Sequence, residues 1–483
     1  MNFQVLKGTH DVILDEAFSY SGIENLLKAF AQSYAFEEFR IPVIEKSELF
    51  LRSVGESSDI VRKEMYTFPD KGGRNITLRP EFTAGIIRSM VNAKLFANQD
   101  FPIKAYYCGP VFRYERPQQG RYRQFNQFGI ELVGSDSYLR DVEAITFGYH
   151  CLEMLGFKNV TMKINSLGDE ESRTNYRNAL VEYFSKYIDD MCGDCKDRLN
   201  INPLRILDCK VENDRKYIEN APKIEDFLSE TSKIRFANIC NSLDLLGIKY
   251  EIDTGLVRGL DYYSETVFEY HFVSSKGNNY GAIGAGGHYS KLVSEIGGPS
   301  LPGVGLSFGI ERLYSILKDD DKLPEKDRLN VYVMPITKDP TELNEIFALA
   351  DFLRLNGFTT EINVEGNSMG SMFKKAEKRG AKFAVIVGEN EVSTNTVNIK
   401  NMDTKEQVTI ALNDIVRFLD MNLSESQHTH GSECCCGDHC DDDCECDHDH
   451  DECCCGHHHD ENHECECGHD HEHGECCCGH HHE

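Results

Sequence analysis

The stretch YYCGPVFRYERPQQGRYRQFNQFGIELVG, Tyr106 to Gly134, decides how the rest of the chain is read. Two runs of alternating character, Ala105 to Tyr114 and Phe125 to Val133, flank a polar loop holding Pro117 and Gly120. That pattern predicts an antiparallel pair joined by a long loop. Arg113, Arg116, Arg121 and Arg123 sit on or beside strands otherwise rich in Phe and Tyr. A planar guanidinium is the side chain best matched to phosphate oxygens, so the mouth of this hairpin is predicted to bind a polyanion. Taken alone, the same arginines fit a solvated loop ion-paired with Glu115 and Glu131.

Within it, FRYERPQQGRYRQFNQFGIE resembles motif 2 of the class II aminoacyl-tRNA synthetases, in the form carried by the histidyl-tRNA synthetases. The resemblance implies an α+β fold: an antiparallel-sheet catalytic domain with a helical insertion, an α/β anticodon-binding domain and, in this chain, a disordered tail. It also implies ATP, magnesium and L-histidine as ligands and histidine tRNA as partner. By position, Arg113 meets the ATP α-phosphate, Glu115 the nucleotide or its magnesium, Arg121 the terminal phosphates, and Phe125 the adenine ring. Gln127 falls on the amino acid's backbone groups and Glu131 on its imidazole, while Arg116 and Gln118 approach the tRNA acceptor end.

Other segments extend the likeness. KGTHDVIL, from Lys7, resembles the family's N-terminal signature, and apolar spacing at Ile23, Leu26, Leu27 and Phe30 predicts a helix over Phe18 to Ala35. Phe36 to Gly55 resembles motif 1, the dimer-interface segment, with Pro42 expected on an edge or interface strand. In ITLRPEFTAGIIRSM, Glu81 and Thr83 inherit the contact to the substrate ammonium, though Phe82 stands where glycine is common; on residues alone Glu81 reads as a helix cap. RGLDYY resembles the signature particular to the histidine enzymes. It implies Arg258 on both the histidine carboxylate and the α-phosphate, Tyr262 at the pocket wall, and Tyr263 opposite Glu131 across the imidazole. Gly281 to Val293 matches a glycine-rich strand but carries His288 and Ser290 in place of the usual Arg and Asp, predicting either looser pocket support or an altered pH response. Pro302 to Leu317 resembles motif 3, with Arg312 on the γ-phosphate and Glu311 near metal or ribose. Arg113, Arg258 and Arg312, far apart in sequence, are therefore expected to converge on one nucleotide as the catalytic cations.

With 483 residues the chain has room for two to four domains. Net charge is −29, but 19 acidic and no basic residues lie beyond Leu423, leaving the body at −10. An RNA-binding body of that sign needs local basic patches. Neither a signal segment nor a long apolar run is present, and cysteines are sparse before the tail, so a cytoplasmic chain is expected. The expected divisions are 1–166 and 251–318 for the catalytic domain, 167–250 for the insertion, 329–421 for the anticodon-binding domain and 424–483 for the tail. In the insertion, Cys192, Cys195 and Cys209 form a CxxC-plus-one set: either a zinc site that needs a fourth ligand, no histidine being nearby, or part of an insertion that resembles one in bacterial histidyl enzymes and needs no metal. After a charged linker at 319–328, strands and helices alternate, and Lys374, Lys375, Lys378, Arg379 and Lys382 supply either an RNA patch or a solvated helix face.

The tail holds 14 of 20 cysteines and 15 of 19 histidines. A unit recurs from Glu433, Glu452, Glu464 and Glu475, with Cys434, Cys435, Cys436 and His439, then Cys453, Cys454, Cys455 and His457, then Cys476, Cys477, Cys478 and His480. Thiolates with imidazoles suit Zn2+, Ni2+ or copper(I) in a loose multi-ion store, and the near absence of apolar side chains predicts disorder without metal. The reading is ATP-dependent histidine–tRNA ligation by a homodimer. The alternative is a non-aminoacylating paralogue serving as regulatory subunit of ATP phosphoribosyltransferase.

Overall fold

The hairpin forms as its alternation requires: Ile103–Phe112 pairs antiparallel with Gln124–Val133, from Ile103 opposite Val133 to Phe112 opposite Gln124. The computed structural model describes residues 3–424, apart from 56, 57, 59, 99, 100, 118, 119 and 325. Gln118 and every tail ligand from Cys434 to His480 thus lie outside the described residues. The chain divides into two units after Lys326.

In the first unit the hairpin is part of an eight-stranded sheet. Its order is Glu37–Glu38, Ile103–Phe112, Gln124–Val133, Gly303–Gly309, Asn279–Tyr289, Ser264–Val273, Val160–Ser166, Tyr250–Ile252. Successive side chains on a strand point to opposite faces, so two residue sets emerge. One face, with Phe128, Ile130, Leu132, Leu306, Phe308, Phe268 and Tyr270, packs under the helices Leu14–Ser33, Tyr138–Met154, Glu230–Leu245 and Ile310–Asp319. Phe147 is fully buried there, in ring contact with Phe30, Tyr34, Phe36 and Phe128. Phe147→Ala is expected to cost about 3–5 kcal/mol, through lost burial and the cavity left behind; a lower urea midpoint would report it.

The opposite face is floored by small residues. Reading across the strands, Ala105, Glu131, Gly305, Gly287 and Val267 form one row, and Tyr107, Gly129, Ser307, Ala285 and Glu269 the next. Few side chains rise from the centre of this face, which leaves a trough between the segments above it.

Two expectations need correction here. Pro42 lies in neither strand of its region but between Glu37–Glu38 and Ile44–Lys46. The carbonyls of Ile41 and Pro42 accept Arg79 Nη1 at 2.9 and 3.4 Å, which draws the backbone out of the ladder. The insertion, moreover, is not one module from 167 to 250. Its own core runs from Tyr176 to Ile224, whereas Ile239 and Leu243 of the following helix belong to the core of the main sheet. Asp169 caps the first insertion helix, Glu170–Ser185, by accepting from the Ser172 amide at 2.9 Å.

In the second unit a five-stranded sheet runs Thr360–Ile362, Val331–Ile336, Phe383–Gly388, Thr396–Asn401, Gln407–Ala411, the first three parallel and the last two antiparallel to their neighbours. Phe383–Gly388, FAVIVG, is buried at every position, as a central parallel strand covered on both faces must be. Of the basic residues read as an RNA patch, Lys375 pairs with Glu365 at 3.2 Å and Arg379 with Glu361 at 3.1 Å. No helix among the described residues is long and apolar enough to cross a membrane.

Candidate active site

Over the trough stand the segments that sequence singled out. The helix Thr83–Asn92 starts above the sheet, and Glu81 accepts from the Thr83 and Ala84 amides at 2.6 and 3.0 Å, the capping geometry that its position allows. Phe82 is no gap in the wall. It stacks on Tyr107 at 4.3 Å, with the Arg79 guanidinium 3.8 Å from its ring centroid.

Glu131 is the buried centre of this face. Its carboxylate accepts from Thr83 Oγ1 at 2.7 Å, Tyr289 OH at 2.9 Å and Tyr107 OH at 3.4 Å. Burial nevertheless dominates and pushes its pKa up to about 8, the hydroxyls opposing the rise. Two glycines make room: a Cβ on Gly305 would overlap Glu131 Oε2, and one on Gly287 would lie 2.7 Å from the Tyr263 ring. Tyr262 and Tyr263, 4.6 Å apart between ring centroids, are both buried beside it.

Arg258 lies 5.5 Å from the Tyr263 ring centroid and bonds Glu269 Oε1 at 2.5 Å. Glu269 Oε2 in turn meets His271 Nε2 at 2.9 Å, while Arg258 Nε is buried without a hydrogen-bond partner among the described residues. Burial alone would lower the Arg258 pKa; Tyr263 and Glu269 outweigh it and hold the guanidinium charged. Sequence reading missed Glu269. The available signal was a carboxylate inside an otherwise apolar strand, SETVFEYHFV.

The hairpin mouth supplies a second cationic group. Arg113 donates to Pro80 O at 2.8 Å, lies 3.9 Å from Glu115 and sits 5.4 Å from the Phe125 ring centroid. Burial raises the Glu81 pKa, and the charge of Arg113 opposes that rise. Gly120 abuts the backbone of Arg312, and Arg312 donates to Ala282 O at 2.6 Å. Burial first, then Arg121, lowers the Arg312 pKa. Arg116 and Arg121 are exposed, and Gln127 is buried in line with Glu131 on its strand.

One sequence reading changes. Arg123 is not available to a polyanion: it donates to Glu115 O and Lys7 O, and its guanidinium covers Tyr114 at 3.8 Å, pinning the N-terminal segment to the hairpin. Glu311, expected beside metal or ribose, has a protein partner as well: it accepts from the Asn126 amide at 2.9 Å and from Asn126 Nδ2 at 3.1 Å. Burial raises its pKa to about 7, so it ties the motif 3 helix to the hairpin as an inward-facing group.

His288 has charged neighbours of its own. Its Nδ1 lies 3.2 Å from Asp141 Oδ1, and Arg235, from the helix Glu230–Leu245, reaches Asp141 Oδ2 at 2.5 Å. A cation absent from position 288 is thus supplied from elsewhere in the chain. Ser290 meets Ser264 Oγ at 2.8 Å.

Residues 8–168 and 195–313 match the family profile described as Histidyl-tRNA synthetase, and residues 330–422 match the Anticodon binding domain. The chain belongs to the histidyl-tRNA synthetase family. It is 44% identical over 426 residues to the histidine--tRNA ligase of Bacillus licheniformis, spanning 87% of this chain and 99% of that protein. The apo crystal structure of S. aureus histidyl-tRNA synthetase, 35% identical, superposes with a TM-score of 0.74 over 86% of this chain and all of that one. A structure titled as an ATP phosphoribosyltransferase regulatory subunit/histidyl-tRNA synthetase from Bacillus halodurans shares the fold at 20% identity, with a TM-score of 0.56 over 80% of this chain and 98% of that one. The catalytic unit therefore has the class II synthetase fold, and ATP with magnesium goes with that family.

The raised carboxyls set a pH dependence. An unfolded Glu titrates near 4.5, whereas folded Glu131 and Glu311 titrate near 8 and 7. Between those values the unfolded chain has released protons that the folded chain still holds. Stability of the substrate-free protein should therefore fall as pH rises from about 5 to 8, by up to about 1.4 kcal/mol per pH unit for each carboxyl. Urea midpoints at pH 5.5 and 8, with Glu131→Gln flattening the slope, would check this.

Proposed function

We infer that this chain ligates L-histidine to histidine tRNA through a histidyl-adenylate. The observation that carries the reading is the trough itself. Glu131, a buried carboxylate with hydroxyl partners, shares a sheet face with Glu269, the partner of Arg258, while Arg113 and Arg312 belong to the hairpin mouth, Arg312 beside Gly120. In this reading Glu131 and Tyr263 take the imidazole, with Tyr262 at the wall; Glu81 and Thr83 take the ammonium, and Gln127 the backbone polar groups. Phe125 stacks on adenine, and Arg113, Arg121 and Arg312 take the phosphates. Glu115 is the carboxylate suited to the magnesium ion, whose contribution is to neutralise phosphate charge. Arg258 bridges histidine carboxylate and α-phosphate, so positioning and fixed positive charge lower the barrier.

For RNA, Gln118, the basic residues of the second unit and Arg116, which is exposed, are the proposed contacts. The homodimer is formed through the segment Phe36 to Gly55, where Ile44 is an exposed apolar side chain. The reaction and the six free body cysteines support a cytoplasmic location. From composition, the tail stores Zn2+ or Ni2+; a titration under reducing conditions with no binding at neutral pH would overturn that.

The decisive assay is charging of histidine tRNA by the purified chain with ATP and histidine. Charging that needs all three substrates supports the ligase. No charging, together with binding to and stimulation of an ATP phosphoribosyltransferase catalytic subunit, would favour the regulatory alternative.

A further inference from the structure

The three insertion cysteines find their missing partner in the fold. Asp214, five residues beyond Cys209, brings a carboxylate oxygen to the thiols of Cys192, Cys195 and Cys209, so that one ligand atom from each of the four lies within 4.8 Å of every other. Cys192 Sγ and Cys209 Sγ are 3.8 Å apart, and Cys209 Sγ is 3.4 Å from Asp214 Oδ2. Tetrahedral zinc, with Zn–S of about 2.3 Å and Zn–O of about 2.0 Å, places two thiolates about 3.8 Å apart and a thiolate about 3.5 Å from a carboxylate oxygen. The Cys192–Cys209 and Cys209–Asp214 separations match those of a four-coordinate ion. A disulfide would require its sulfurs at about 2.05 Å.

The carboxylate gives an independent reason. Asp214 is fully buried, as is Cys195. Among the described residues it makes no ion pair with lysine, arginine or histidine; its partners are the Cys192 amide, at 3.2 and 3.1 Å, and the cysteine thiol. A carboxylate taken out of water without a cation costs several kcal/mol, and a divalent ion would supply that cation.

We propose that Cys192, Cys195, Cys209 and Asp214 bind one Zn2+ as a closed structural site. On binding, each thiol gives its proton to solvent, and the four donors leave no open position for catalysis. The ion would tie the start of the helix Gly193–Ile201 to that of the helix Glu212–Ile218. Between them lie Asn202, which donates to Asp261 Oδ1 at 2.8 Å, and Arg205, which donates to Gly259 O at 3.1 Å. Both acceptors belong to RGLDYY, so the site braces the loop that carries Arg258.

The test uses the reduced full chain, saturated with Zn2+ or stripped with a strong chelator, and follows alkylation of each cysteine by peptide mass spectrometry. Tail cysteines fall on separate peptides and are scored apart. Zinc is expected to slow alkylation of Cys192 and Cys209 at least tenfold, with the protection lost on chelation. Asp214→Ala and Cys195→Ser should each demand at least tenfold more zinc for the same protection. Rates within twofold with and without zinc would overturn the proposal. So would protection that survives the chelator, which would mark burial of the thiols without a metal. Neither result depends on the ligase reading.

Discussion

Arg258→Ala should retain the fold yet lose 100- to 1000-fold in histidine-dependent exchange of pyrophosphate into ATP, the loss of about 3–4 kcal/mol that follows removal of one preorganised charge donor. The guanidinium is already oriented, bonded to Glu269 at 2.5 Å and set against Tyr263, so little reorganisation accompanies the reaction. Its buried Nε makes no hydrogen bond among the described residues, so one donor of the fork is unused. As the carboxylate attacks phosphorus, negative charge grows where this fork points in the proposed reading. Arg258→Lys should recover only part of the rate, because an ammonium cannot present two parallel donors. Glu269→Gln keeps the cation but loosens its hold, and is expected to cost about tenfold, as a positioning residue would. Thermal unfolding of each variant separates these losses from misfolding. Exchange within threefold of wild type in a folded Arg258→Ala protein would remove Arg258 from the chemistry.

Discrimination by Glu131 is the second large effect. A histidine analogue of the same shape whose ring has no N–H should be activated about 10⁴ to 10⁵ times less efficiently, because its binding leaves a buried polar group unpaired. In Glu131→Ala the ratio should collapse to about 10 to 100, the range open to shape alone. The protein keeps this carboxylate buried at the expense of a raised pKa, and surrounds it with three hydroxyl donors rather than a cation. Such a group responds strongly to what is placed beside it. Gly305→Ala offers a milder check: its methyl would push on Glu131 Oε2, and overpacking of about 1–3 kcal/mol should raise KM for histidine more than it lowers kcat. Equal discrimination by wild type and Glu131→Ala would show that the ring is read elsewhere.

Much of this arrangement is legible in the chain. Alternation in Tyr106 to Gly134 yields the hairpin, because side-chain direction reverses at each strand residue and the buried set must share a face. That small residues at 129, 285, 287, 305 and 307 floor one face appears only from the register of five strands. The helix over Leu14–Ser33 follows from apolar spacing, its observed start four residues earlier than that spacing suggests. Helix ends depend on local capping, which periodicity does not encode.

What sequence alone determined is the set of elements and the chemical kind of each site residue: guanidiniums, buried carboxylates and tyrosines on strands whose order along the chain is set by local pattern. Only the tertiary structure decided how those groups are partnered. Glu311 turned to Asn126, 185 residues away, and Arg235 came 53 residues along the chain to the side of His288. Asp214 completed a ligand set that looked one short. Hydrogen bonds and ion pairs form between whatever surfaces the fold presses together, and burial sets their strength. Neither leaves a periodic trace along the chain.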